Sequence, residues 1–149
     1  MLQIKEILKK ALIDYISDYV LSLRMEMSAL VESKSNETKS SAGDKFETSR
    51  AMMQQEIDKK SMQIHQWEEH GLKAASMTLA STLVIKDGAL VHTDRGIYYF
   101  STAIGKFSFD EQNIYALSTE APIYQTLRSK KKGDVVSYNG QSIRILDVQ

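Results

Sequence analysis

The amino-acid sequence predicts an α+β protein: an N-terminal antiparallel α-helical coiled-coil hairpin, then a small antiparallel sheet domain with one short helix. Two apolar-periodic segments separated by a polar stretch predict the hairpin. Short β-rich runs separated by turn residues predict the sheet. The predicted domains are residues 1–75 and 76–149. With 149 residues, of which 42% are hydrophobic and 26% charged, the chain is long enough to bury a core.

The first predicted helix runs from Leu2 to about Ser33. It contains no glycine or proline, and its apolar residues recur at spacings of three and four, as in a coiled-coil seam. The same periodicity also fits a core-facing helix of a bundle, so it predicts an apolar face without naming the partner of that face. The residues of this seam are Leu8, Leu12, Ile16, Tyr19, Leu23, Met27 and Leu30.

The second predicted helix starts near Asp44 and has a seam of its own. Lys60 departs from the apolar pattern, but its aliphatic stem can lie along the seam while the ammonium reaches water. Gly71 is a plausible end of the helix, although residues 72–83 favour helix and allow it to continue. The seam residues are Met53, Ile57, Lys60, Ile64 and Trp67.

The second half of the chain carries the strand and turn signals of a small sheet. Asn139-Gly140 between two β-rich runs is a strong signal for a two-residue hairpin turn. Alternation along Tyr98-Tyr99-Phe100 predicts one face in the core and the other at the surface. The predicted elements are strands at 90–93, 97–100, 107–109 and 113–118, a short helix over 122–128, and strands at 135–138 and 143–148.

The composition of the chain excludes several classes of functional site. The chain has no cysteine, which excludes disulfides, thiolate metal sites and cysteine nucleophiles. The first ten residues are amphipathic and no long apolar run follows, so we expect no signal peptide and no membrane span. The formal net charge is zero, which argues against autonomous nucleic-acid binding but not against docking on a protein. The three histidines lack zinc-ligand spacing.

Two carboxylates stand out at the predicted start of the second helix. Asp44 and Glu47 are three residues apart and share one helix face. One interpretation is a capping box, in which both side chains satisfy backbone donors at the helix start. The other is an acidic site at the hairpin tip. Spacing alone favours the cap, but the two interpretations are compatible, because a capped tip also holds its carboxylates in place.

Two motifs in this chain resemble the Gre family of transcript-cleavage factors. The first is Gly-Asp-x-x-Glu at the tip of the family's coiled coil, matched here by Gly43, Asp44 and Glu47. The second is the family's Ser-Pro-Ile…Leu-x-Gly-Lys-Lys-x-Gly-Asp run, matched by Ala121-Pro122-Ile123, Leu127, Lys130, Lys131, Gly133 and Asp134. The resemblance covers most of the chain, least well residues 74–106. It implies an FKBP-like fold for the C-terminal domain.

The resemblance also implies a function in transcription elongation. In the Gre family the hairpin enters the secondary channel of bacterial RNA polymerase, and its tip acids help the polymerase to cleave backtracked RNA. On that basis Asp44 is the main metal-facing acid and Glu47 its helper, holding a Mg²⁺ that belongs to the polymerase active site. The protein itself is then a monomeric, cytoplasmic regulator and not an enzyme. Its partner is RNA polymerase, with nascent RNA contacted only indirectly and no membrane involved.

A docking segment is implied as well. In the Gre family the turn before the short helix of the C-terminal domain rests on the rim of the secondary channel. In this chain the corresponding residues are Ser118, Glu120, Pro122 and Ile123. From the sequence alone it is equally consistent that Pro122 starts a helix and that Ile123 fills the core.

The tip departs from the family pattern in its charges. Lys45 follows Asp44, and Arg50 stands where the family usually has an acid. Both cations are placed to pair with the carboxylates and weaken a metal role. A Gre-like competitor that occupies the channel without stimulating cleavage therefore stays open. A plain coiled-coil oligomerisation module with a peptide-binding domain is an alternative of another class, and the solution mass separates it from a monomeric hairpin.

Overall fold

The computed structural model describes the backbone of residues 2–37 and 43–149, and side chains at 4–36 and 47–149. Three helices and six strands are formed. In chain order they are α1 (Leu2–Glu37), α2 (Gly43–Ser76), β1 (Leu90–Thr93), β2 (Gly96–Phe100), β3 (Gly105–Phe109), β4 (Gln112–Leu117), α3 (Pro122–Leu127), β5 (Val135–Tyr138) and β6 (Gln141–Val148). This order confirms the α+β class and the succession of two long helices, sheet strands and one short helix.

The chain packs into two compact units, described separately below. The sheet unit comprises Met1–Tyr15 and Leu72–Gln149, and the hairpin unit comprises Ile16–Gly71. The first turns of α1 therefore pack with the strands, and the rest of α1 packs with α2. The predicted domain boundary between residues 75 and 76 stays a prediction.

In the hairpin unit α1 and α2 pack against each other, as the two seams predict. The rings of Tyr19 and Trp67 contact each other across the helices, with centroids 4.1 Å apart. Lys60 donates a hydrogen bond from its ammonium to the Glu26 carboxylate. This bond raises the pKa of Lys60. The Lys60 ammonium thus links α2 to α1, and 24% of the Lys60 side chain is exposed.

Gly71 does not end α2, which continues to Ser76. A Cβ placed on Gly71 would stand 3.5 Å from Cγ2 of Ile16, an ordinary van der Waals distance. Three residues later Ala74 is completely buried. The extra turn of the helix therefore buries an apolar residue. Of the two predicted ends of α2, at Gly71 or beyond it, the one beyond Gly71 is correct.

The sheet has the strand order β3-β4-β2-β1-β6-β5. Its neighbouring strands are antiparallel except for β2 and β4, which are parallel. The prediction of an antiparallel sheet is therefore wrong for this pair. The reason lies in β3, which forms a tight hairpin with β4 at the edge of the sheet. After the hairpin turn, β4 lies beside β2 and runs in the same direction as β2. The predicted Asn139-Gly140 turn between β5 and β6 is present, with φ of 51° and 76°.

Both faces of the central strands are covered. The pairing of β1 with β2 places Leu90 opposite Tyr99 on one face and Val91 opposite Tyr98 on the other. Val91 belongs to the apolar cluster that also contains α3 residues and Phe100. Tyr99 and Phe100 are nevertheless both completely buried. The predicted split between a core face and a surface face of this strand is therefore wrong, because the first turns of α1 also belong to this unit.

A buried lysine ties the first turns of α1 to the rest of the sheet unit. Lys5 is 1% exposed. Its ammonium donates hydrogen bonds to the backbone oxygens of Ala80, at 3.0 Å, and Gln149, at 3.3 Å. Burial, and secondarily the charge of Lys86, lowers the pKa of Lys5. Lys9 makes a similar bond of 2.7 Å to the backbone oxygen of Met77.

Across the described ranges, none of the helices has the length and apolar character needed to cross a membrane.

Candidate functional site

The first half of the candidate site is the start of α2. This helix begins at Gly43 and includes the backbone of both predicted tip acids. The Glu47 side chain is exposed to solvent. The side chains of Asp44 and Lys45 lie outside the described residues, so the pairing of the two acids and the capping box remain predictions.

Glu47 shares a shallow depression of about 340 Å³ with side chains from both helices. Two of them are basic, Lys34 from the end of α1 and Arg50 from the next turn of α2. The Lys34 ammonium donates a hydrogen bond to Oε1 of Gln54, which fixes its position across the hairpin. Arg50 was singled out from the sequence. Lys34 was missed because only the register of the two helices brings it to Glu47, and no local sequence signal carries that register.

These surroundings do not suit a metal ion by themselves. Mg²⁺ is usually held through one or two carboxylates together with waters or substrate phosphates. Among the described residues that line the depression, Glu47 is the sole carboxylate. Lys34 and Arg50 would repel a divalent cation there. In the part of the chain that the structure describes, no three histidine, aspartate or glutamate side chains form a possible metal site.

The second half of the candidate site is the turn between β4 and α3. The Ser118 hydroxyl accepts a hydrogen bond from the backbone amide of Glu120, at 3.2 Å. The Ser118 carbonyl accepts another from the amide of Ala121, at 3.1 Å. Pro122 then occupies the first turn of α3, as expected. The turn is thus internally hydrogen-bonded and holds the exposed Glu120 and Pro122 side chains at the surface.

Ile123 has a different environment from the rest of that turn. Its side chain is 8% exposed and belongs to the core cluster that includes Phe100, Leu127 and Ile145. Core packing therefore accounts for an isoleucine at this position. The surface of the predicted docking segment is left to Ser118, Glu120 and Pro122.

Comparison with known proteins assigns this chain to no family. No protein-family model matches the sequence, and a search of curated proteins finds no significant relative. The functional assignment rests on the geometry above and on the motifs in the sequence.

Proposed function

We propose that this protein is a Gre-like transcription elongation factor. In this proposal it binds RNA polymerase, inserts its helical hairpin into the secondary channel and stimulates cleavage of backtracked RNA. The observation that carries the proposal is the exposed Glu47 near the start of α2. It lies three residues after Asp44, at one end of a two-helix hairpin.

The hairpin's own contacts support its use as an inserted probe. Its two helices are linked by ion pairs between Arg24 and Glu68 and between Lys60 and Glu26. Both pairs join α1 to α2 within one chain, so the seam needs no second copy. A self-contained hairpin favours a monomer over the coiled-coil oligomerisation module, which would bury its seam between chains.

The sheet unit supports the second part of the proposal. A mostly antiparallel sheet with one short helix over a face, α3, is compatible with the FKBP-like domain that the resemblance implies. In the proposal this unit docks on the channel rim through Glu120 and its neighbours. Glu120 offers an exposed negative charge that a basic group on the rim would recognise.

The charges around Glu47 favour a second candidate function. With Lys34 and Arg50 in the same depression, the tip is less suited to a Mg²⁺ than a purely acidic tip. A factor with such a tip would occupy the channel and inhibit or modulate transcription without stimulating cleavage. Both candidates require the same docking on polymerase and differ only in the outcome at the active site.

One assay separates the candidates: RNA cleavage by stalled, backtracked polymerase with and without the protein. We expect faster cleavage with the wild type, and no stimulation with Asp44→Asn or Glu47→Gln at unchanged polymerase binding. Asparagine still caps a helix, so Asp44→Asn removes the charge with little loss of helix stability. Binding without faster cleavage would select the competitor, and absence of binding would reject both candidates.

Docking is tested separately with Glu120→Lys. The side chain is exposed and outside the core cluster, so we expect an unchanged melting temperature. Like charges at an interface cost several kcal/mol, which corresponds to at least a tenfold loss of polymerase affinity. Lys132→Glu, an exposed charge reversal elsewhere in the same unit, is the matched control. Unchanged affinity of a folded Glu120→Lys variant would remove this turn from the interface.

A further inference from the structure

The sheet unit contains a pocket of about 520 Å³, where β2, α3 and the β5–β6 hairpin meet. Its walls are mixed: two tyrosines and two isoleucines lie beside three polar residues. The aromatic and apolar residues are Tyr98, Ile123, Tyr138 and Ile143. The Tyr98 ring is held by two aromatic neighbours, with centroid distances of 6.4 Å to Phe100 and 5.7 Å to Tyr115. The pocket therefore presents a fixed aromatic surface.

A guanidinium lies at the edge of these walls. Arg95 belongs to the turn between β1 and β2, and it lines the pocket. Its Nε donates a 3.2 Å hydrogen bond to the backbone oxygen of Ser142 on β6. The terminal nitrogens Nη1 and Nη2 are engaged by none of the described residues. They form the pair of donors that a guanidinium uses to bind a carboxylate in a bidentate manner.

The turn that carries Arg95 is rigid. The Thr93 hydroxyl accepts hydrogen bonds from the amides of Arg95, at 3.1 Å, and Gly96, at 3.0 Å. It donates one to the Gly96 carbonyl, at 2.8 Å. Because the backbone and Nε of Arg95 are both held, binding an anion there requires less ordering of the side chain than at a free surface arginine.

The charge of the pocket is uncompensated. None of its described lining residues is acidic, and the remaining polar ones, Asn139 and Gln141, are neutral. The neighbouring acid in sequence, Asp94, accepts a 2.9 Å hydrogen bond from the Arg144 amide and does not line the pocket. Burial raises the pKa of Tyr98. Its hydroxyl is protonated at neutral pH, as that of an ordinary tyrosine also is.

We propose that this pocket binds a carboxylate carried on an aromatic group, with the Arg95 guanidinium gripping the carboxylate and the Tyr98–Tyr138 walls packing on the ring. The ligand chemistry fits a small aromatic acid and equally the C-terminal carboxylate of a peptide that ends in an aromatic residue. This binding activity is independent of the tip and of the turn that the proposed function uses for docking on polymerase.

A titration followed by NMR tests the proposal. The probes are N-acetylphenylalanine, its neutral amide, and a tripeptide ending in phenylalanine as the free acid. We expect both acids to shift the signals of Tyr98, Tyr138 and Ile143. We expect N-acetylphenylalanine to bind at least tenfold more tightly than its amide, since charge-assisted hydrogen bonds distinguish the two. Tighter binding of the tripeptide would favour the C-terminus of a peptide, and tighter binding of N-acetylphenylalanine would favour a small aromatic acid.

Two matched variants sharpen the test. Arg95→Gln removes the charge at the pocket and should abolish the preference for acid over amide. Arg128→Gln removes the same charge from an exposed position outside the pocket and should preserve that preference. The proposal is wrong if wild type binds acid and amide equally, if neither acid shifts the pocket signals, or if Arg95→Gln keeps the wild-type preference. Melting temperatures of both variants show whether they are folded.

Discussion

The hairpin unit and the sheet unit both expose some large apolar residues, and they differ in how many apolar side chains they bury. Among the described residues of the hairpin, the buried apolar side chains are Ile16, Leu23 and Ile64. Several large apolar residues of this unit are instead well exposed: Leu21, Met25, Val31, Met52 and Met62. The sheet unit has a continuous core on one face of its sheet and further buried residues on the other. The hairpin is therefore held by a thin seam and polar cross-links, and the sheet unit by a packed interior.

The two units therefore differ in what stabilises them and in how their surfaces can serve the proposed roles. A sparse seam leaves most of the hairpin surface available for contact with a partner. Its helices gain stability from propensity and local pairs as well as from burial. The sheet unit holds Arg95 in place through hydrogen bonds within its turn and to Ser142 on β6. Mutations should accordingly have unequal effects in the two units, and Trp67, the single tryptophan, reports on the hairpin alone.

The largest effect is expected for Phe100→Ala in the sheet core. Phe100 is completely buried, and its ring meets that of Tyr124 edge-on at 4.9 Å between centroids. Removing a buried phenylalanine costs about 3–5 kcal/mol. Hydrogen exchange of the β1 and β6 amides measures the loss. A shift of the Trp67 fluorescence transition by the same amount would show that the two units unfold as one, contrary to the comparison.

Leu23→Ala tests the seam of the hairpin. Leu23 is 3% exposed, but its neighbours on either side are exposed and can relax into the space. We expect a loss of about 2–3 kcal/mol, at the low end for a leucine-to-alanine change. Urea unfolding followed by Trp67 fluorescence gives this value. The exposed Leu21→Ala in the same helix is the control, and an equal loss there would mean that the seam is wrongly assigned.

Alkaline pH should weaken the sheet unit through Tyr99. Burial raises the pKa of Tyr99 to about 12 from its ordinary value of 10.0. The unfolded chain then releases this proton at a lower pH than the folded chain. Stability that is present below about pH 10 therefore falls as the pH approaches 12, by about 2 kcal/mol.

Tyr99→Phe isolates this effect from the other titrating groups. The Tyr99 hydroxyl is buried without a hydrogen-bond partner among the described residues. The variant should therefore be at least as stable as wild type at neutral pH. Denaturant unfolding of both proteins across the alkaline range measures the difference. A gap between the two proteins that does not change with pH would disprove the assignment.

The smallest effect is expected for Arg24→Gln, which breaks the ion pair with Glu68. Both side chains are about half exposed, at 52% and 43%. Pairs of this kind contribute at most about 1 kcal/mol, and salt screens them. The Trp67 transition should move little at low salt and not at all at high salt. A loss comparable to that of Leu23→Ala would mean that polar cross-links, and not the seam, hold the hairpin.

The parts of the fold that depend on local sequence were predicted well. The Asn139-Gly140 turn, α3 beginning at Pro122 and the two long helices all follow from turn chemistry and periodicity. The parallel pairing of β2 with β4 was not predicted, because it depends on where the β3–β4 hairpin lies and not on any strand's own sequence. The burial of Lys5 was missed for a similar reason.

The roles of the candidate site residues stay predictions, and only their surroundings can be compared with the sequence. Glu47 and Glu120 are exposed where the motifs placed them. Ile123 proved to be a core residue. Lys34 lies in the same depression as Glu47 because of the register of the two helices. Arg95 gave no signal in the sequence, since an arginine in a β-turn is ordinary until the bond from its Nε to Ser142 is seen.

The bond between Lys5 and Gln149 has a consequence for the order in which the chain acquires its structure during synthesis. Its two residues are 144 positions apart. A ribosome adding about 5–20 residues per second makes the second partner roughly 7–30 seconds after the first. During that interval the first turns of α1, which carry the buried Leu8 and Leu12, exist without the later strands of the same unit. The hairpin, at residues 16–71, is synthesised within the interval and before those strands. The bond between Lys5 and Gln149 therefore closes only after the hairpin has been synthesised, because the two partners stand on either side of it in the chain.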